Sequence, residues 1–229
     1  MSPLFQRKMK LGEVIAANHN LILMLPRFGI PLGFGEKTVQ EVCDEYGVPV
    51  DFLLLVCNVY TYDEYEPTTA DFEQMDMSML VSYLLASHNY YLNERLPHIK
   101  QHLCHVVGSV GGRVEQVLTT FYDDYQQEVG EHFKFEECEV FPLLQKLQQG
   151  ERLTAKVSVH FSSAHANIED KLSDLTRIVY KYLPSNILPT ESIELVFDIL
   201  QLAADIEKHT VIEEKILLPY IKLLERRTL

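Results

Sequence analysis

Two stretches far apart in the chain, residues 131–144 (EHFKFEECEVFPLL) and 208–221 (KHTVIEEKILLPYI), carry one pattern. Each has a His, a Glu four residues on, a second Glu beside it, and a Pro ten residues after the His. In an α-helix, residues i and i+4 stand above one another on the same face. His132 with Glu136, and His209 with Glu213, therefore each aim an imidazole and a carboxylate at one point. Two such faces read as two halves of one metal site, and they constrain the chain to helices that turn these faces inward.

The rest of the sequence supplies helices of that kind. Apolar residues recur at 3.6-residue spacing over about 78–107, 112–149, 154–183 and 190–226, with Gly108, Gly150 and Pro184 as stops. Thr190 or Ser192 offers an N-cap for the last of them. No segment reads as a strand. The expectation is an all-α protein whose residues 67–229 form an up-down-up-down four-helix bundle, a fold whose core commonly houses metals. The polar stretch 61–74, TYDEYEPTTADFEQ, reads as the linker before it.

Residues 1–66 read as a small helical module. A helix over 11–25 is closed by Pro26, the Gly- and Pro-dense RFGIPLGFGEKT makes a loop, and a short helix over 38–46 stops at Gly47. Asp51 is placed to cap a helix over 52–60. Short helices with tight turns also suit a DNA-reading helix-turn-helix, but Asp63, Glu64 and Glu66 count against it. So does the net charge of −13 from 20 basic and 33 acidic residues, which suits neither a phosphate backbone nor an anionic membrane. No apolar run approaches the ~20 residues of a membrane span. The start, MSPLFQRKMKLGE, lacks an apolar core of signal-peptide length, so a cytoplasmic location is expected. Cys43, Cys57, Cys104 and Cys138 are scattered without a CxxC pair and read as core thiols.

The helices have two further marks. Pro97, Pro142 and Pro219 fall inside them, each at a cost of ~3 kcal/mol or more in a regular helix. Pro142 and Pro219 stand at matching places after the His/Glu pairs, which fits either a shared bend or helices that end and restart. His132 and His209 are 77 residues apart, and so are His88 and His165. Two helix pairs related by a pseudo-twofold account for both offsets. His160 has Tyr83 as its counterpart and lies about 140° round the helix from His165, so it reads as a surface or supporting residue.

The candidate ligands are thus His88, His132, His165 and His209 with Glu136 and Glu213. Four imidazoles and two carboxylates exceed what one tetrahedral zinc takes. They suit two ions, each with two histidines, sharing both carboxylates as bridges and retaining open positions. An N/O set of this kind favours iron over manganese or zinc. The competing reading is two exposed i, i+4 ion pairs, worth a few tenths of a kcal/mol each. A metal-free structural bundle would then result, and the repeated offset and matched prolines weigh against it. His98, His102 and His105 could line one face of the first bundle helix, but they lack repeat mates. They read as exposed, with His105 the best placed for a supporting role. Tyr83, Tyr90 and Tyr91 read as packing residues, and Glu137 and Glu139 as outer acids.

HFKFEECEVFP and HTVIEEKILLP resemble the two H-x-x-x-E motifs of hemerythrin-like HHE cation-binding bundles. SHNYYLNERLP is similar to the first-helix motif, and SSAHANIEDKL to that of the third. The segment LGEVIAANHNLILMLPRFGIPLGFGEKTVQEVCDEYGV resembles the small domain that precedes such a bundle in the iron–sulfur cluster repair di-iron proteins. This resemblance spans nearly the whole chain. It implies a non-haem di-iron centre with ligands of the type named, oxo- or hydroxo-bridged. It also implies a homodimeric cytoplasmic protein that restores iron–sulfur clusters damaged by nitric oxide or peroxide. The partners implied are damaged or apo iron–sulfur proteins and small ligands such as nitric oxide, O2 or peroxide, with no nucleic acid and no membrane. Such a centre could donate iron or reduce nitric oxide or peroxide. The alternative is a hemerythrin-like O2 or nitric oxide binder or sensor, which would want a fifth histidine. Two departures stand out: GIPLGFGE holds no Cys-Cys pair, and an extra residue before Leu96-Pro97 puts Asn89 where the ligand of some relatives falls.

Overall fold

The computed structural model describes residues 4–73, 75–108, 111–148, 158–183 and 187–227, and within these the side chains outside 73, 148, 158–164 and 225–227. Among the described residues the protein is all-α. The sole β feature among them is an isolated bridge between Lys10 and Thr38. Two compact units emerge: Met1–Ser87 with Lys146–Arg152 and Lys208–Leu229, and His88–Gln145 with Leu153–Glu207.

In the first unit the expected helix over 11–25 is broken. It becomes α1 (Leu11–Ala17), α2 (Leu21–Met24) and a 3-10 turn Leu25–Phe28 that contains Pro26 and ends on Gly29. The break lies at Asn18, whose side chain accepts from the Asn20 amide at 3.1 Å and donates to Thr61 Oγ1 at 3.1 Å. Asn favours such local turns over continued helix. The helix α3 (Val39–Tyr46) has a full capping box, in which the Thr38 side chain accepts from the Glu41 amide and the Glu41 carboxylate accepts from the Thr38 amide. Such a cap is worth about 1 kcal/mol. Gly47 closes the helix with a left-handed φ of 67°.

The next helix, α4 (Val50–Thr61), starts two residues before its expected start at Phe52, with Pro49 as N-cap. Asp51 thus sits in its first turn and pairs with Arg7 rather than capping. The expected linker contains α5 (Thr69–Glu73) and is held in place. Lys208 pairs with Asp63 at 2.8 Å, and Lys215 reaches Glu66 at 2.9 Å and the Tyr65 carbonyl at 3.0 Å. Phe28, Phe52 and Tyr83 form an aromatic cluster with ring centroids 4.8 to 6.4 Å apart. Cys43 and Cys57 are buried, as expected of core thiols, and burial pushes Cys43 up to about 11 and Cys57 further. Cys138 is exposed and Cys104 half-buried, so these two correct the expectation.

Three of the four long periodic segments contain a π-turn. The first runs as α6 (Met77–Tyr90), a π-turn Tyr91–Arg95 and α7 (Leu96–Gly108). The second runs as α8 (Gly112–Phe135), a π-turn Glu136–Val140 and α9 (Phe141–Gln148). The third is α10 (Ser158–Tyr182). The last runs as α11 (Pro189–Ile212), a π-turn Glu213–Leu217 and α12 (Leu218–Arg227). Pro189 opens α11 in place of a Thr190 or Ser192 cap, at a position where a missing N–H costs nothing. The expected delimiters Gly150, Thr154 and Pro184 lie outside the described residues.

The second unit is built on α7, α8, α10 and most of α11. Its core runs from Tyr91, Leu96, Ile99 and Leu103 through Tyr122, Tyr125 and Val129 to Leu172, Leu175, Leu195 and Ile199, all under 2% exposed. Cross-helix pairs fix the directions. Tyr122 donates to the Leu96 carbonyl while Lys100 reaches the Thr119 carbonyl, so α7 and α8 are antiparallel. Lys171 pairs with Glu128 and His165 packs on His132, so α10 is antiparallel to α8. Arg95 reaches Asp198 and His105 faces Glu191, so α11 runs opposite to α7.

Candidate metal centre

Each π-turn ends two residues before a proline. At Pro142 a regular helix would place the pyrrolidine ring against the carbonyl four residues back, with no N–H to satisfy it. The helix widens instead: the Phe141 amide bonds the Glu136 carbonyl five residues back. The Leu96 amide does the same with Tyr91, before Pro97, and the Leu218 amide with Glu213, before Pro219. The helices therefore continue past each proline without a restart. They pass each proline through one enlarged turn, of the kind that recurs at functional sites.

Glu136 and Glu213 each open such a turn, six residues before a proline. Tyr91 opens the third, and this equivalence, readable from the spacing to Pro97, was missed in the sequence. Its ring is buried, lies 5.8 Å from that of Phe133, and its hydroxyl donates to the Asp205 carbonyl at 3.1 Å. A packed tyrosine thus stands where a third carboxylate would complete the pattern.

In the second unit three imidazoles surround Glu136, which is fully buried. His132 Nε2 lies 3.2 Å from Oε1, and His165 Nε2 lies 3.7 Å from the same oxygen. His88 Nε2 lies 3.2 Å from the other oxygen, Oε2. The ligand atoms of His132, Glu136 and His165 all fall within 4.8 Å of one another. The His132 and His165 rings meet edge to face with centroids 4.8 Å apart. His88 stacks on Phe133 at 4.0 Å and on Phe141 at 5.8 Å, so its ring has little freedom.

Glu137, the second Glu of the motif, holds the far side of His88 through Nδ1 at 2.9 Å. A carboxylate accepts, so Glu137 favours the proton on Nδ1, which would leave the Nε2 lone pair to a metal ion beside Glu136. This is the carboxylate–histidine pairing that orients metal-binding imidazoles. Asn89, by contrast, is exposed and hydrogen-bonds Asn93. The first unit presents its own pair: His209 Nε2 lies 3.2 Å from Glu213 Oε1, and both side chains are buried.

Both oxygens of Glu136 are buried without a hydrogen bond. A desolvated carboxylate in that state costs several kcal/mol unless a cation compensates it. Metal–nitrogen and metal–oxygen bonds of 2.0–2.2 Å leave neighbouring ligand atoms ~3.0 Å apart in octahedral and ~3.4 Å apart in tetrahedral coordination, close to the separations around Glu136. Imidazole and carboxylate donors of this type fit iron, manganese or zinc.

The remaining histidines separate from this group. His105, read from the sequence as exposed and as the best placed of its helix for a supporting role, is 73% exposed and faces Glu191 at 3.9 Å. The α7 face carries it outward, because the inward positions hold Leu103, Val106 and Val107. The His160 side chain lies outside the described residues. His98 and His102 gather on Asp198 instead. Tyr83 and Tyr91 are buried packing residues and Tyr90 is half-buried against the core, as expected.

The family model described as the hemerythrin HHE cation binding domain matches residues 80–221, more than half of the chain. The chain belongs to this hemerythrin family, whose bundles bind metal ions, typically iron. No curated protein matches it. Among the described residues, no helix is long and apolar enough to cross a membrane.

Proposed function

We propose that this hemerythrin-family bundle is a non-haem di-iron protein that repairs iron–sulfur clusters damaged by nitrosative or oxidative stress. The observation that carries the reading is the division of imidazoles over one buried carboxylate. His132 and His165 approach Oε1 of Glu136 and His88 approaches Oε2, so Glu136 is set to bridge two ions rather than to serve one. His132 and His165 would hold one ion and His88 the other. His209 and Glu213, which stand to one another as His132 does to Glu136, are the remaining ligands that the repeated sequence motif supplies.

When bound, such an iron pair supplies redox chemistry and open positions for nitric oxide, O2 or peroxide. The chain's own residues do the rest. Glu137 and the Phe133 and Phe141 rings hold His88 in one orientation. Apolar helix packing keeps bulk water from the carboxylates. Residues 1–66 form the N-terminal module of the repair proteins and 67–229 the bundle, working in the cytoplasm as a homodimer on damaged or apo iron–sulfur proteins. The sensor or oxygen-carrier reading wants a fifth histidine, and the exposure of His105 removes the residue best placed to supply it.

The test is reactivation of an iron–sulfur dehydratase inactivated by nitric oxide. Iron-loaded wild type should restore its activity, and Glu136→Ala under the same conditions should not. Equal recovery with both proteins, or none with either, would contradict a repair role.

A further inference from the structure

A second group of metal-binding side chains lies on α7 and α11, within the second unit and away from Glu136. His98 and His102 are one turn apart on α7, and Glu194 and Asp198 are one turn apart on the antiparallel α11. His102 Nδ1 lies 2.7 Å and His98 Nε2 3.4 Å from the same oxygen, Asp198 Oδ2. The other oxygen, Oδ1, accepts from Arg95 Nη2 at 3.0 Å; that nitrogen also donates to the Asp198 carbonyl at 3.0 Å and to Gln201 Oε1 at 2.8 Å. Arg95 thereby fixes the carboxylate and turns Oδ2 toward the two imidazoles. The His98, His102 and Asp198 side chains are 57%, 19% and 21% exposed, so the group opens to solvent between Glu194 and Phe197.

We propose that His98, His102 and Asp198 form a second metal site, which takes a borderline divalent ion such as zinc from solution. One hydrogen bond from His102 would satisfy Asp198 Oδ2 by itself, yet a second imidazole converges on the same atom. The three ligand atoms lie within 4.8 Å of one another. A tetrahedral ion with bonds near 2.1 Å spaces its ligands by ~3.4 Å, so a small opening of the His102–Asp198 contact admits it. Two histidines one helical turn apart are a recurrent zinc pair, and three protein ligands leave an open position for water. The Arg95 guanidinium on Oδ1 pairs with the Asp198 carboxylate and leaves Oδ2 to the imidazoles and to a cation. Copper(II) and nickel(II) compete for such a set by their higher or comparable intrinsic affinity, whereas iron(II) ranks below zinc.

The experiment is calorimetric titration of the purified protein with zinc chloride, with iron assayed before and after. Wild type should take up one zinc equivalent without loss of iron. His98→Ala and Asp198→Asn should lose that equivalent or bind it at least tenfold more weakly. His105→Ala, on the same helix but outside the group, should keep it. His98 is exposed enough to be replaced without disturbing the core, and helicity by circular dichroism verifies the fold of each variant. In the wild type, the His98 and His102 imidazole resonances should shift on zinc addition. Uptake unchanged in His98→Ala, uptake lost equally in His105→Ala, or zinc that replaces iron one for one would each overturn the proposal. The comparison is among variants at this outer group, so it reads the same whether or not the buried centre carries iron.

Discussion

Glu136 concentrates the chemistry of the site in one side chain. Three imidazole nitrogens lie within 3.7 Å of its two oxygens, and burial removes the water that would otherwise solvate them. Its neighbour Glu137 acts one step out, by favouring the proton on His88 Nδ1. Replacing Glu137 with Gln should keep the fold and lower metal affinity 10- to 100-fold, the usual effect of losing such a partner. Competition with a chelator of known affinity measures this; unchanged affinity would mean that the stacked phenylalanines alone orient His88. Tyr91→Phe should cost about 1 kcal/mol in thermal unfolding, because the Asp205 carbonyl loses its donor, while metal content stays the same. A loss of metal would place Tyr91 in the site rather than beside it. Not all of these residues were equally legible. His132, Glu136, His209 and Glu213 announce themselves as local i, i+4 motifs. His88 was visible through its 77-residue offset from His165 and through the resemblance of SHNYYLNERLP to a first-helix motif, since no carboxylate stands four residues on. The Glu137–His88 contact pairs residues 49 positions apart and has no local signature.

At the scale of elements, the π-turns explain how proline is tolerated beside the buried Glu136 and Glu213. The periodicity located the helices to within a few residues, and the matched prolines marked a repeated irregularity. A π-turn adds one residue without interrupting the apolar stripe, so spacing alone could not separate it from a bend or a restart. The enlarged turn at 136–140 exists because Pro142 cannot donate to the carbonyl four residues back. In Pro142→Ala that donor returns and the α-helical register becomes accessible. The metal-free variant should therefore melt no lower than metal-free wild type, yet bind iron more weakly, because a regular turn rotates Phe141, which stacks on His88, relative to His132 and Glu136. Calorimetric melts with and without iron check this. An unchanged iron affinity would show that the turn is set by the site rather than by the proline. The broken helix near Asn18 escaped the sequence for a different reason: the apolar pattern continues across it, and the turn depends on a contact with Thr61.

For the whole molecule, the buried His/Glu group ties stability to metal. A ligand held at a thousandfold over its Kd stabilises the folded state by about 4 kcal/mol. For a chain of this size that corresponds to a Tm about 10 °C higher, which chelation should remove. An unaffected melting curve would favour a metal-free structural bundle. The fold class was legible because four long periodic segments with short connections leave few alternatives, and the family match over residues 80–221 agrees with it. The central claim is that Glu136 bridges two irons. Iron analysis with Mössbauer spectroscopy on protein loaded anaerobically with isotopically enriched iron tests it, comparing wild type with Glu136→Ala. Two irons per chain in one coupled pair, lost in the variant, is the predicted result; isolated single irons in the wild type, or a coupled pair that survives in Glu136→Ala, would contradict it.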